Sequence, residues 1–207
     1  MTETGTGAGA VTGTEKDVPV GRRERKKAAT RQALADAALT LFLERGYDQV
    51  GVKDIADAAD VSTTTLFKHF PSKEALVFDE DADQEAALVA SVRDRAPGRS
   101  IPAALCEGIL RIRSGAARKD PRFVAFLDLV ENTPALREYA HRMWMRHETA
   151  LTRAIAEESG APASDLTCAA LARFALDAPT IAENHPDREE AVRAAFAVLE
   201  HGWAKAR

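Results

Sequence analysis

The residues of this 207-residue chain that are best suited to a chemical role lie together in the stretch STTTLFKH. Four of them combine short hydroxyls, methyl groups, one aromatic ring and one cation: Thr63, Thr64, Phe67 and Lys68. Such groups suit hydrogen bonds to base edges and apolar contacts to thymine methyls in a DNA major groove. Three threonines alone carry no such meaning, so this interpretation depends on the surrounding elements.

Other candidate sites fail on spacing. Acidic residues alternate in residues 79–83 as in a calcium loop, but Gln84 occupies the sixth position, where glycine is required, and Ala90 the twelfth, where glutamate is required. The five histidines lack metal-ligand spacing, and no Ser or Cys lies in a nucleophile motif. We therefore expect no metal, no cofactor and no enzymatic activity.

The elements around the threonines predict a helix-turn-helix. Two short helices fit residues 52–59 and 63–70, and Asp60 lies in the turn, where it tolerates a left-handed backbone. Ser62 is a good N-cap for the second helix. The apolar residues at the remaining positions are expected to form a small core: Leu41, Phe42, Ile55, Val61, Leu66 and Phe70.

Charge is distributed unevenly along the chain. Residues 21–73 contain ten Lys/Arg and seven Asp/Glu, although the whole chain has a formal net charge of −4. This distribution suits a protein that offers one surface to a polyanion. The run RRERKK is interpreted as a basic arm for the DNA backbone or a minor groove, and a solvated flank is the alternative. The basic residues assigned to DNA here are Arg22, Arg23, Arg25, Lys26 and Lys73.

Hydrophobic periodicity predicts an all-α chain of about nine helices. Asp120-Pro121, Thr133-Pro134 and Asp187-x-x-Glu190 each mark a helix start, and no stretch alternates as a strand does. The expected organisation is a disordered tail (1–20), a three-helix DNA-binding domain (21–73) and a larger helical domain (74–207). A long helix beginning near Ser72 is expected to connect the two domains.

The segment ALTLFLERGYDQV followed by IADAADVSTTTLFKHFPSKEAL resembles the N-terminal domain of TetR-family transcriptional regulators, over about residues 27–78. The resemblance implies a homodimer, double-stranded DNA with a palindromic operator as a partner, and a small-molecule effector. By position it assigns DNA contacts to Lys53, Thr63, Thr64, Phe67, Lys68 and Lys73.

Three residues depart from the pattern of this family. Gly51 replaces the usual Thr and removes an N-cap hydroxyl, and Phe67 replaces the usual Tyr and removes a phenol that could bind phosphate. Asp60 replaces the usual Gly and adds a negative charge near the turn. These departures bear on the details and strength of DNA contact, while the fold expectation is unaffected.

Residues 74–207 supply the candidates for an effector pocket and a dimer interface. The resemblance implies a cavity, and its candidate lining residues are Phe123, Phe126, Met143, Trp144 and Phe174, although core packing is the ordinary role of such residues. The polar candidates are His141, His147, Asn132, Arg113 and Arg146, each of which is more often a surface or hydrogen-bonded residue. The stretch LVENTPALREYAHRM resembles a subgroup with acyl-CoA-like ligands. The last two helices are expected to form the dimer interface through Leu171, Phe174, Val192, Phe196, Leu199 and Trp203.

These observations predict a ligand-responsive, sequence-specific transcriptional regulator, acting as a repressor that a small apolar or acyl-type inducer releases. No apolar run is long enough to span a membrane, and the two distant cysteines suit a reduced, cytoplasmic protein. The alternatives are a non-specific architectural DNA-binding protein, and a helical small-molecule carrier or enzyme.

Overall fold

The computed structural model describes residues 21–113, 121–182 and 185–202, and all regular secondary structure in this part of the chain is helical. The predicted all-α fold is therefore confirmed, whereas the predicted tail (1–20) and Trp203 lie outside the described residues. The helices are α1 Arg22–Arg45, α2 Val52–Ala58, α3 Thr63–His69, α4 Asp81–Arg93, α5 Ile101–Arg113, α6 Pro121–Asn132, α7 Pro134–Ser159, α8 Leu166–Ile181 and α9 Arg188–His201. Short 3-10 turns cover Tyr47–Gln49 and Glu74–Leu76.

Local signals place the helix boundaries. Gly46 follows α1 with φ 83°, a backbone conformation that favours glycine. α7 begins at Pro134 after Thr133, and the carboxylate of Asp187 accepts a hydrogen bond from the backbone N–H of Glu190 at 3.0 Å. The predicted starts at Thr133-Pro134 and at Asp187 are thus confirmed.

The expected long helix from Ser72 is wrong. A 3-10 turn covers Glu74–Leu76, and α4 begins only at Asp81. Ala75, Leu76 and Val77 are all buried. These three side chains pack together with residues of α1, α2 and α3, so the chain enters their core through a short turn before α4 begins.

The first hydrophobic core joins α1, α2, α3 and the two 3-10 turns. Its fully buried side chains include Leu34, Phe42, Ile55, Leu66 and Phe70. The predicted small core is confirmed, with Val61 partly buried against it.

Helices α6 and α7 brace this first core. Leu136 of α7 belongs to it and is fully buried. The ring of Phe78 stacks on Tyr139 with centroids 5.2 Å apart and meets the edge of Phe126 at 6.2 Å. The N-terminal helices therefore rest on an aromatic cluster supplied from further along the chain.

The second core joins α4, α5, α7, α8 and α9. Gly108 of α5 lies so close to α4 that an added Cβ would come within 2.6 Å of the Cβ of Ser91. The two helices therefore cross tightly at this glycine. None of the helices in the described ranges combines the length and apolar character that a bilayer crossing requires.

Candidate nucleic-acid interface and effector cavity

The turn between α2 and α3 holds α3 rigidly on the first core. Asp60 adopts φ 53°, and the hydroxyl of Ser62 accepts the backbone N–H of Thr65 at 3.1 Å. Leu66 and Phe70 anchor the inner face of α3 in the core. The expected roles of Asp60 and Ser62 are both confirmed.

The outer face of α3 presents Thr64, Phe67 and Lys68 to solvent, and Thr63 is half-buried beside them. Residues 64, 67 and 68 have the i, i+3, i+4 spacing of one helix face. Phe67 is 51% exposed although it is a large apolar side chain. This face therefore offers a hydroxyl, a ring and a cation on a short helix that is fixed from behind.

Arg31 ties the C-terminal end of α3 to the rest of the chain. Its guanidinium donates from Nη1 to the carbonyl of His69 at 2.8 Å and from Nη2 to the carbonyl of Asp79 at 2.7 Å. It also lies 4.1 Å from the ring centroid of Phe70. The role of Arg31 was not predicted, because its spacing in α1 does not distinguish it from the neighbouring surface cations.

The basic run at residues 22–27 is not a free arm. It forms the first turns of α1, and all of its side chains are exposed. Arg, Lys, Glu and Ala favour helix, and the carboxylate of Glu24 accepts the N–H of Gly21 at 3.3 Å. The DNA contacts of Arg22, Arg23, Arg25 and Lys26 stay predictions, now for cations carried on a helix.

The cations of α1 lie near the end of α3. Burial, and then the positive charges of Lys27 and Arg31, lower the pKa of His69, the last residue of α3. Arg31 of α1, which donates to the His69 carbonyl at 2.8 Å, therefore lies directly beside the end of α3.

Lys53 and Gly51 lie at the start of α2. The ammonium of Lys53 pairs with Asp57 at 2.6 Å on the exposed surface, and the hydrogen bond and charge of Asp57 raise the pKa of Lys53. Gly51 lacks the usual hydroxyl, but the carboxylate of Asp54 accepts its N–H at 2.8 Å. The first turn of α2 is thus stabilised from within the helix.

Lys73 is engaged inside the protein. Its ammonium donates to the carbonyl of Tyr47 at 2.6 Å and lies 3.8 Å from the ring centroid of the same residue. Burial lowers the pKa of Lys73. An ammonium has three hydrogen-bond donors, so Lys73 has donors left for a phosphate. The phosphate contact stays a prediction, and the same ammonium holds the turn before α2 in place.

A cavity of about 30 Å³ lies between α4, α5, α7 and α8. Its lining is mostly apolar and consists of Gln84, Leu88, Ile109, Ile112, Trp144, His147, Leu176 and Pro179. His147, which the sequence offered as one of several polar candidates for an effector pocket, borders this cavity.

Among the predicted lining residues, only Trp144 borders this cavity. Phe123 and Phe126 stack on each other at 6.0 Å beside the first core, and Met143 is buried outside the lining. Phe174 is 55% exposed on α8. None of these four residues borders this cavity, and their assignment to an effector pocket stays a prediction.

The predicted dimer residues fall into two groups. Phe174 shares one side of α8 with Leu166 and Ile181, which are 81% and 75% exposed. Val192 and Phe196 are only 5% and 3% exposed, since α9 packs on α5 and α8 of its own chain. Their assignment to a dimer interface stays a prediction, for side chains that already pack within their own chain. Leu171 and Leu199 are partly buried against the same core.

Comparison with known proteins gives consistent matches. The family model for bacterial regulatory proteins of the tetR family matches residues 34–79. The HTH-type transcriptional regulator TcmR of Streptomyces glaucescens is 33% identical over 152 residues, which cover 70% of this chain and 67% of TcmR.

Solved structures match over most of the chain. GusR of Salmonella enterica is 26% identical with a TM-score of 0.51, over 83% of this chain and 91% of GusR. A TetR-family regulator from Streptomyces coelicolor A3 is 19% identical with a TM-score of 0.58, over 87% and 97% of the two chains; this likeness shows the fold alone. The family-model match contains the whole of α2 and α3.

Proposed function

The chain belongs to the TetR family of bacterial regulatory proteins, and on this premise we propose that it is a ligand-responsive repressor that binds a palindromic operator as a homodimer. The observation that carries the proposal is the exposed face of α3, where Thr64, Phe67 and Lys68 project from a braced helix. One α3 from each protomer enters the major groove of a half-site, and the half-sites are centred about 34–36 Å apart.

The cations at the start of α1 bind phosphates beside each half-site. Arg22, Arg23, Arg25 and Lys26 are exposed on successive helical positions, and such contacts add affinity without sequence information. Binding therefore weakens steeply as the salt concentration rises.

The homodimer forms through the exposed face of α8. Leu166, Phe174 and Ile181, the α8 stripe, are exposed beside the ion pair of Arg173 and Asp177. Burial of the three apolar side chains contributes roughly 25 cal/mol per Å² of apolar surface. Because the proposed partner is DNA, we expect the protein to act in the cytoplasm. The proposal includes no catalytic step.

A small apolar or acyl-type effector releases the operator. It binds in the helical region around the α4–α8 cavity and favours a conformation with a different spacing of the two α3 helices. Only a difference in affinity between conformations drives this change, and tenfold release takes about 1.4 kcal/mol. The cavity of about 30 Å³ is far below the roughly 300–1,000 Å³ of ligand pockets, so the effector must expand it.

Selection of bound fragments from genomic DNA, followed by footprinting, tests the proposal. We expect protection of a discrete palindrome by the full-length protein. Uniform protection of any duplex would contradict sequence-specific repression and support an architectural DNA-binding protein. Absence of any enriched fragment, together with turnover of a co-purified small molecule, would support a carrier or an enzyme.

A further inference from the structure

One polar group in the cavity lacks a partner. His147 is 1% exposed, and its Nδ1 has no hydrogen bond within the described residues. Its Nε2 lies 2.7 Å from a carboxylate oxygen of Asp81. A buried polar atom without a partner is uncommon in folded proteins and costs stability, so the position of this nitrogen beside a cavity calls for a ligand.

The pairing with Asp81 determines which ligand group fits. A carboxylate only accepts hydrogen bonds, so the single N–H of a neutral His147 ring would lie on Nε2, and Nδ1 would present a lone pair. A ligand hydroxyl or phenol would donate to that lone pair. The rest of the lining is apolar apart from Gln84, and the ring of Trp144 meets His147 edge-on with centroids 5.6 Å apart. The site therefore suits an apolar body that carries one O–H donor.

The wall that closes the cavity on the α8 side contains a weak point. Pro179 lies inside α8 and borders the cavity. Proline has no backbone N–H, so the last turns of α8 lack one hydrogen bond of a regular helix. Movement of this end of α8 is therefore one way in which a ligand can enlarge the cavity.

The cavity is connected to α3 by a short series of hydrogen bonds. Asp81, which holds His147, is the first residue of α4. Two residues earlier, the carbonyl of Asp79 accepts one arm of Arg31, whose other arm holds the carbonyl of His69 at the end of α3. A displacement at the start of α4 therefore reaches the DNA-binding helix through one bidentate side chain.

We propose that His147 Nδ1 is the polar contact for an apolar effector with a hydroxyl or phenol group, and that Arg31 couples the occupied cavity to α3. This inference rests on the proposed function for its second half. A ligand that donates to Nδ1 and enlarges the cavity displaces His147 relative to Asp81, and Arg31 is the positioning residue that transmits the change.

The ligand contact is tested with 1-naphthol and 1-methylnaphthalene, which have nearly the same shape and differ in the O–H group. Calorimetric titration of the full-length wild-type protein is expected to show about tenfold tighter binding of 1-naphthol. In His147→Phe the preference should fall below about twofold, because the acceptor is gone. Equal binding of the two probes by the wild type, or no binding of 1-naphthol, would overturn the assignment.

Folding of the variant is checked by thermal unfolding. If His147→Phe does not fold, Trp144→Phe provides the second arm: it keeps the acceptor and changes the adjoining wall. We expect Trp144→Phe to bind both probes more weakly and to retain the preference for 1-naphthol. Loss of the preference in Trp144→Phe would contradict a role for the histidine nitrogen.

The coupling is tested with Arg31→Lys, which keeps the charge but cannot hold both carbonyls in the same fork geometry. We expect wild-type affinity for 1-naphthol but at most threefold release of the selected operator, against about tenfold for the wild type. Arg153→Lys, on the exposed surface of α7, is the matched control. Unchanged release in Arg31→Lys would overturn the coupling.

The proposed repressor function and the proposed role of His147 can be contradicted independently of each other. If no operator is found, the proposed function fails while the probe titrations still decide the role of His147. If an operator is found but probe preference is independent of His147, the proposed function stands and this inference is wrong.

Discussion

Thr64, Phe67 and Lys68 share the outer face of α3, but their side chains have different capacities. A threonine that reaches a base edge discriminates between sequences, and a good base contact contributes about 1–3 kcal/mol of discrimination. Lysine can neutralise a phosphate with little regard to sequence. Substitution of one residue at a time can therefore separate the contribution to sequence selectivity from the contribution to overall DNA affinity.

Thr64→Ala is expected to change selectivity. Competition among operators with single-base changes should show a position at which the wild type discriminates and the variant does not. Thr149→Ala, another exposed threonine but on α7, should leave the ranking of operators unchanged. Identical rankings for Thr64→Ala and the wild type would remove this residue from base contact.

Lys73→Ala is expected to lower the free energy of unfolding by about 1–3 kcal/mol, since it removes a charged hydrogen bond to the Tyr47 carbonyl and a cation–π contact. Denaturant unfolding measures this loss. Lys53→Ala, which breaks only an exposed ion pair, should lower the free energy of unfolding by less than Lys73→Ala does. The salt dependence of DNA binding by Lys73→Ala, measured on a folded sample, separately tests the phosphate contact: its slope should decrease by about 1.

His69 makes the stability of the protein depend on pH. Burial and the charges of Lys27 and Arg31 lower its folded pKa, so below about pH 6.5 the unfolded chain binds a proton that the folded chain does not. Stability is therefore lost as the pH falls through the folded pKa. His69→Gln lacks this titrating group. The unfolding free energy of the wild type minus that of the variant should therefore decrease from pH 7 to pH 5. An unchanged difference would contradict the lowered pKa.

At the scale of the helix, boundary residues were predictable because their causes are local. The cap of α3 at Ser62, the left-handed turn at Asp60 and the end of α1 at Gly46 each depend on a few neighbouring residues. The packing partners were not predictable in the same way. Periodicity showed that α9 has an apolar face, but the burial of Val192 and Phe196 depends on the distant α5 and α8.

The hydrogen-bond partners of single side chains were not predictable for the same reason. Arg31, which the sequence did not indicate, and His147, which it offered as one of several polar candidates, bond to carbonyl and carboxylate groups 38 to 66 positions away. The resemblance to a family supplied what periodicity could not, namely the presence of an effector region and a dimer. It did not say which side chains line the cavity in this chain.

The helical state of the basic run gives an element-scale prediction. Ala28→Pro should disrupt the start of α1, because proline in a helix interior costs about 3 kcal/mol, while every cation of the run is retained. We expect DNA affinity to fall in an electrophoretic mobility assay, and Ala28→Ser to bind like the wild type. Unchanged affinity in Ala28→Pro would show that the cations work equally well from a flexible arm.

The exposed face of α8 gives a second prediction at the scale of the helix. Ile181→Glu places a charge in the proposed dimer contact, so light scattering should show a monomer, with thermal stability of the protomer largely retained. Ala87→Glu, at an exposed position on α4, should remain dimeric. A dimeric Ile181→Glu protein would contradict the assignment of this face.

At the scale of the whole molecule, the two cores have distinct tasks. The first core fixes α3 from behind, while the second contains the small cavity and leaves the α8 stripe exposed. The cavity lies in the second core, and Arg31 and the aromatic cluster of Phe78 join the start of α4 and α7 to the first. A ligand can thus bias the DNA-binding unit without touching it.

Photocrosslinking from position 67 tests most directly whether the outer face of α3 reads DNA. A photoreactive phenylalanine derivative in place of Phe67 should crosslink to bases in both half-sites of the selected operator, about one helical turn apart. The same derivative at Val124, an equally exposed position on α6, should give no crosslink. Crosslinks from position 124 with none from position 67 would contradict α3 as the reading helix.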